Sequence, residues 1–535
     1  MWLEVFRMNL SEPKSSLNPA WASRLTAALL LVLLGVGMVV SDPYFTFFDD
    51  EVHIICAAAN PAAHTVDPFL HGEGQHEHPP LYDLFLHGWE RITGSRMRLL
   101  RFPSIAFYLL GIWILVETAR GQGGDRAATA VLWVCLLWPY GFHFGRIAAW
   151  YSLSFLLVAI LTYIYLSFLK ARTFKNWLLL IIPAILLLYT NYFGWAILAC
   201  LMLDFLLQTR NEPPQYTRRV LLTILLLVVF FLPLIRAFVA EIQGAAAVSR
   251  SSMSGLAALE AFNLYALFAS ESVAPWHWAL GVPVCVAIVV CIVVVLWKAP
   301  PAARRLFVYF LLLITGMSVI GIVGTKRLLL ISALVVLPVG LGLGTIRSKR
   351  VKACLVVSLL IIAGVGWYGT VSRRNYSAPR FIEPWNEVAA EMAEAVRKGG
   401  VVIAYHPSFF FYLAYDLHRH GTGNNLDLAR VYPYQGIWPD VYDSTDSVPP
   451  ARLAVANVFL VKDVSSGDEP DENQQYLSDH CTLEDVDRML PDSGFSLKER
   501  LLPGIPRARY RIELFHYNCA KPTGHKPSVA SGSSR

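Results

Sequence analysis

The first 370 residues alternate between long apolar runs and short polar connections. A helix needs roughly 17–25 residues to cross the hydrocarbon core of a bilayer. Eleven runs approach or reach that length: 22–40, 102–118, 127–143, 148–169, 176–190, 193–207, 219–239, 279–298, 305–324, 328–345 and 352–370. The pattern predicts an all-α polytopic membrane domain of about 11 transmembrane helices over 22–379, after a polar N-terminus at 1–21. Val40-Ser41-Asp42-Pro43 is a poor cleavage site, so the first run reads as a retained anchor. The connection after it, 41–98, is by far the longest. Within it, Leu81, Leu84, Phe85, Gly88, Trp89 and Ile92 recur at helical spacing after Pro79-Pro80, and Gly94 ends the pattern. That predicts an amphipathic helix lying on the bilayer surface.

Beyond residue 380 the rhythm changes. Helical patterns at 384–397 and 408–420 alternate with strand-like runs at 401–404, 456–461 and 509–515. A separate α/β domain is expected over 380–520, and a disordered Ser/Gly/Pro-rich tail over 521–535.

Composition agrees with the pattern. Apolar residues make up 55% of the chain and charged residues 16%, against ~25% charged in soluble proteins. This excludes a disordered chain and a soluble multidomain enzyme. Charge then adds direction. Residues 1–379 hold 29 Lys+Arg and 18 Asp+Glu, whereas 380–520 hold 13 and 21. With the N-terminus in the cytoplasm, alternate connections place 18 basic residues on one side, including Arg120, Arg126, Arg347, Lys349, Arg350 and Lys352. Eleven spans then put the loop 41–98 and the C-terminal domain outside. The expected location is the plasma membrane. Because the basic residues follow topology, nucleic acid is not an expected partner. Cys481 and Cys519 lie in the outer domain, where pairing and two free thiols are both open readings.

Nine of the 18 acids and six of the 14 histidines fall in the loop 41–98. A polar loop of this length marks a site. Asp50 and Glu51 follow two phenylalanines next to the first span, a setting that suits a general base and equally suits helix-capping acids. His76, Glu77 and His78 are weak candidates for a divalent metal; no fixed ligand spacing is present, and metal dependence stays open. Several cations sit on the outer side, against the topology rule: Arg98, Arg101, Arg146, Lys326 and Arg327. Arginine and lysine there fit an anionic lipid head, or snorkel to ordinary headgroups.

These residues in this order resemble the polytopic GT-C glycosyltransferases of the protein mannosyltransferase and aminoarabinose transferase kind. The matching stretches are Asp50-Glu51, His78-Pro79-Pro80-Leu81-Tyr82, Leu100-Arg101-Phe102-Pro103-Ser104 and Tyr189-Thr190-Asn191-Tyr192. Two positions depart from the family pattern. Ala149-Trp150-Tyr151 lacks an arginine, so Arg146 would serve, and Leu328 stands where a tyrosine is usual. The resemblance implies a GT-C-like fold and transfer of a sugar from a polyprenyl-phosphate carrier to an extracytoplasmic glycan, lipid or protein. It implies Asp50 as base with Glu51 beside it, and Arg98, Arg101, Arg146, Lys326 and Arg327 on the lipid phosphate. His78, Tyr82 and Tyr192 would line the substrate site. A transporter or flippase for a lipid-linked sugar is the alternative. It would be expected to carry polar groups at mid-membrane, whereas Glu117 and Asp204 lie near span ends.

Overall fold

The computed structural model describes residues 19–41, 47, 49–71, 78–210, 214–248, 256–270, 278–319, 325–371, 385–418, 426–454, 456–463, 470–489 and 512–520. The predicted tail, and His76 and Glu77, lie outside the described residues. The first helix, α1, spans Pro19–Ser41. The loop 41–98 contributes α2 (Asp49–Ala59), α3 (Ala62–His71) and α4 (Leu81–Thr93). The membrane part continues with α5 (Phe102–Leu136), α6 (Tyr151–Lys170), α7 (Phe174–Leu188), α8 (Gly194–Thr209) and α9 (Gln215–Phe231). Then follow α10 (Ile235–Val248), α11 (Leu256–Ala269), α12 (Trp278–Lys298), α13 (Pro301–Val319), α14 (Ala333–Thr345) and α15 (Lys349–Val371). This is a multi-pass membrane protein.

Among the described residues, seven helices are long and apolar enough to cross a bilayer, or eight if the bent pair Thr325–Ile331 and Ala333–Thr345 is one span. The expectation of eleven is not met by length alone, for two reasons. The runs 176–190 and 193–207 are helical as α7 and α8, but these have only 15 and 16 residues. The runs starting at 102 and 127 fall on the single element α5, interrupted at Gly124 with φ 73° and ψ −169°. Only glycine adopts that conformation without strain. Gly141, just past the end of α5, packs on the Tyr108 ring. A straight helix would hold residues 108 and 136 ~42 Å apart, so the two arms of α5 double back on each other.

Close approach between helices relies on small residues. A Cβ on Gly344 of α14 would sit 2.5 Å from the Cα of Ala127, and one on Gly340 would sit 2.7 Å from that of Val131. The four-residue spacing places both on one face of α14, the small-residue seam that membrane helices use. At the face opposite Asp50, buried Asp204 of α8 ties three helices together. It accepts hydrogen bonds from the Tyr165 hydroxyl of α6 and, at 2.9 Å, from that of Tyr309 of α13, and Arg305 lies 3.0 Å away.

The surface helix α4 ends at Gly94, φ 71°, as predicted. Its burial is inverted. Tyr82, Asp83, Leu86 and Glu90 face the protein, while Ile92 is 82% exposed and Phe85 43%. The apolar face therefore points outward, as it would toward lipid.

The C-terminal part forms a five-stranded mixed sheet in the order β2-β1-β3-β5-β4. Its strands are β1 (Val401–Ile403), β2 (Val441–Tyr442), β3 (Asn457–Asp463), β4 (Thr482–Met489) and β5 (Ile512–Asn518). β1 runs parallel to β2 and β3, and β5 antiparallel to β3 and β4. Helices α16 (Trp385–Arg397), α17 (Pro407–His418) and α18 (Glu472–His480) accompany it. Cys481 and Cys519 form a disulfide between the start of β4 and the end of β5. The domain sits on the loop 41–98. The Tyr412 hydroxyl accepts from the Phe47 amide, the Tyr415 hydroxyl donates to the Ser95 carbonyl at 2.7 Å, and the Ser95 hydroxyl donates to the Leu426 carbonyl at 2.9 Å.

Candidate active site

The site is built on α2. Its first turn carries Asp49, Asp50 and Glu51, which suits the positive end of a helix dipole. Successive helical positions diverge by about 100°, so Asp50 and Glu51 meet different surroundings. Glu51 turns inward and is fully buried. Arg101, 1% exposed, grips it with two hydrogen bonds, Nε to Oε1 at 2.8 Å and Nη2 to Oε2 at 2.6 Å. The Ala148 amide donates to Glu51 Oε1 at 2.7 Å. The Arg101 guanidinium also lies 4.0 Å from the centre of the Phe47 ring. This fork-to-fork pair joins α2, the entry to α5 and the turn before α6.

Asp50 faces the opposite way and keeps partial access, with its side chain 30% exposed. Lys326 forms an ion pair with its Oδ2, and the Tyr151 hydroxyl donates to the same oxygen at 2.9 Å. Burial raises the Asp50 carboxyl, but the Lys326 ammonium and its hydrogen bond, with Tyr151, outweigh this and bring the pKa down to about 2. His78 completes the group. Its ring lies 4.7 Å from Trp150, which in turn lies 4.2 Å from Tyr151. Burial and the nearby Arg327 and Lys326 charges hold the His78 pKa down at about 3, against the pull of Asp50. The imidazole is therefore neutral. Lys326 and Arg327 stand on the 3-10 turn Thr325–Ile331, anchored where the Tyr140 hydroxyl donates to the Thr325 carbonyl at 2.6 Å.

A carboxylate, two cations, a phenol and a neutral imidazole thus converge at one end of the helical bundle. Residues 77–236, less than a third of the chain, match the model of the family described as dolichyl-phosphate-mannose-protein mannosyltransferase. The crystal structure of ArnT from Cupriavidus metallidurans bound to undecaprenyl phosphate aligns over 91% of this chain and 97% of its own, with a TM-score of 0.53 and 13% identity. ArnT from the same organism in the apo state aligns over 92% and 98%, again with a TM-score of 0.53 and 13% identity.

The chain has the GT-C fold.

No curated protein sequence matches it significantly. Within the GT-C frame, the other expected site residues occupy distinct places. Arg146 is 1% exposed and serves the end of α1: Nη1 donates to the Ser41 hydroxyl at 3.0 Å and the Met38 carbonyl at 3.4 Å. Its guanidinium also lies against the Phe142 ring. A cation at the C-terminus of a helix satisfies its last carbonyls. Arg98 is exposed on the short turn Met97–Leu100 before α5. The Tyr82 hydroxyl is buried against the Ser104 hydroxyl at 2.8 Å. Tyr192 packs on Phe231 and Phe238, and no contact joins it to the Asp50 cluster among those described. The Tyr189-to-Tyr192 turn supports α4, because the Leu81 amide donates to the Tyr189 carbonyl at 3.0 Å. Among the described residues, no group of three or more His, Cys, Asp or Glu is arranged to hold a metal ion.

Two kinds of placement escape a reading of the sequence. Tyr151 lies 101 positions from Asp50, in the Ala149-Trp150-Tyr151 stretch, and its contact with Asp50 is not foretold by any local pattern. Asp83 and Glu90 read as the solvent face of α4. Both are buried, and burial alone pushes Asp83 up to about 7 and Glu90 up to about 8.

Proposed function

We propose that the protein is an integral membrane glycosyltransferase that moves a sugar from a polyprenyl-phosphate donor to an extracytoplasmic acceptor. The observation that carries this reading is the contact of Lys326 with Asp50 beside Arg327, His78 and Tyr151. The cations suit a phosphate and the carboxylate suits an acceptor hydroxyl, so one cluster contains both halves of the reaction.

The chemistry follows from these charges. The acceptor oxygen attacks the anomeric carbon while its proton passes to Asp50. The bond from that carbon to the phosphate oxygen breaks, and its electron pair leaves with the polyprenyl phosphate. Attack opposite the leaving group inverts the anomeric centre. A pKa near 2 makes Asp50 a weak base while Lys326 holds it. A donor phosphate that draws Lys326 and Arg327 onto its own oxygens removes the lowering influence. Burial then raises Asp50 toward the range of a working base. Glu51 and Arg101 act here as the rigid support of α2 rather than on the substrate. Arg98, exposed before α5, is the remaining cation for the lipid phosphate, and Arg146 fixes the end of α1. His78 and Tyr82 position α4 at the edge of the site. The positive-inside pattern of the sequence supports an extracytoplasmic position for this cluster and the α/β part.

The test is Asp50→Asn, which keeps the shape and removes the base. Transfer should fall roughly 10²–10⁴-fold, with the protein still folded in the membrane. Mass spectrometry of envelope glycans and polyprenyl-linked sugars, from cells with the wild type, the variant or neither, gives the readout. Unchanged transfer by the variant would overturn the assignment.

A further inference from the structure

A second feature lies away from the Asp50 cluster. A groove of about 560 Å³ separates the second arm of α5, α14 and α15. Its volume falls within the ~300–1,000 Å³ of ordinary ligand sites. It follows the second arm of α5 for ~18 Å, from Arg126 and Lys352 at the face opposite Asp50 to Trp138 and Phe268 toward the other. Its cause is visible in the helix packing. Gly340 and Gly344 draw α14 tightly onto α5, while α15 packs chiefly on α12, so a gap is left between α14 and α15. Val335, Val339 and Leu359 line it, and Trp133 and Leu360, 48% and 54% exposed, stand at its open side.

An apolar groove at this depth has no use for water, and leaving it empty forfeits dispersion contacts along its whole wall. Hydrocarbon chain is the filling that matches. The charge at one end identifies the head. Arg126 and Lys352 are both exposed at the rim. The acid on the same rim, Asp125, is already engaged by Arg120 at 2.9 Å. A donor whose phosphate lies at Lys326 would carry its charge at the wrong end of the groove.

We propose that this groove binds one anionic phospholipid, its acyl chain between α5, α14 and α15 and its phosphate on Arg126 and Lys352. The proposal is independent of the sugar-transfer reading, since it uses neither Asp50 nor Lys326. A lipid held there would fill the seam between α14 and α15 and so steady the turn that carries Lys326.

Native mass spectrometry of the full chain, titrated with phosphatidylglycerol and separately with phosphatidylcholine, tests it. The wild type should retain phosphatidylglycerol in preference. Each cation near a headgroup contributes roughly a 5-fold gain, so Arg126→Ala with Lys352→Ala should weaken phosphatidylglycerol about 30-fold. The control pair Arg347→Ala with Arg350→Ala removes the same charge from the same face and should change it little. Ala363→Phe fills the groove without touching charge and should lower binding of both lipids. Equal affinity for the two lipids overturns the proposal, as does equal loss in the two charge pairs. Displacement of a polyprenyl phosphate by Ala363→Phe, with phosphatidylglycerol unaffected, would assign the groove to the donor instead.

Discussion

Asp50 and Glu51 are neighbours in sequence with opposite fates. Glu51 is buried and forked by Arg101, whereas Asp50 keeps a side chain 30% exposed and is balanced between burial and Lys326. That balance predicts a pH effect. Lys326 lowers the folded-state pKa of Asp50 below its ordinary 3.8 to about 2. The pair therefore adds stability above the unfolded value, and this is lost as pH falls from about 4 through 2. In Lys326→Ala the ammonium is gone but the burial remains, so the Asp50 pKa should rise above the ordinary carboxylate range. The acid limb of the kcat/KM profile should move to higher pH, while donor binding weakens. An acid limb that stays in place would show that Lys326 does not control Asp50. The pairing of a lysine with an acid 276 positions earlier is not written in any local pattern; the sequence marks Lys326 as a cation against the topology rule and Asp50 as an acid of the polar loop, but not that they meet.

At the scale of elements, hydrophobic periodicity located the helices but not their lengths or contacts. Apolarity separates the runs 102–118 and 127–143, which are the two arms of α5, and Gly124 is where the chain turns between them. The seam between α14 and α5 depends on backbone meeting backbone. Gly344→Val would place its Cβ 2.5 Å from the Ala127 Cα, so backbone has to shift to admit it. Overpacking of this kind typically costs ~1–3 kcal/mol. The variant should show a lower thermal midpoint in detergent and reduced folded yield, whereas Gly364→Val on the open side of α15, which meets nothing within 4 Å, should not. In the C-terminal α/β part the predicted helices and the central strands agree with α16, α17, β1, β3 and β5. β4 and α18 have no sequence signal of equal strength, because β4 is an edge strand paired with β5 alone, and its Thr482, Glu484, Asp485 and Asp487 remain polar. Such a strand is made by its partner rather than by its own apolar content.

The whole molecule is a helical bundle with an α/β domain seated over its most polar loop. Phe47 packs on Phe411 and Tyr412 of that domain, and His53 of α2 meets Tyr432. The helix that carries Asp50 is thus held from both sides, by α5 below and by the domain above. The disulfide closes the last segment of the sheet over a separation of 38 residues. By loop-closure entropy it contributes about 4 kcal/mol to the domain. Cys519→Ser should lower the unfolding midpoint of the domain by calorimetry or limited proteolysis, with the membrane helices intact. If the domain positions α2 through Phe47, transfer should fall in step with loss of the domain; activity that survives its unfolding would make it a separate module.

By itself the sequence determined the membrane class, the order of apolar helices, the change to an α/β pattern after residue 380 and the polarity of the loop 41–98. These follow from local physics: apolar run length, helical period and the side of the membrane on which basic residues accumulate. Only the tertiary structure decided which acid is buried and which is reachable, that Tyr151 and Lys326 meet Asp50, that Arg146 serves a helix end, and that Asp83 and Glu90 face inward. Each of these is a contact between distant segments, and its energy depends on burial and charge neighbours that exist only after the helices have packed.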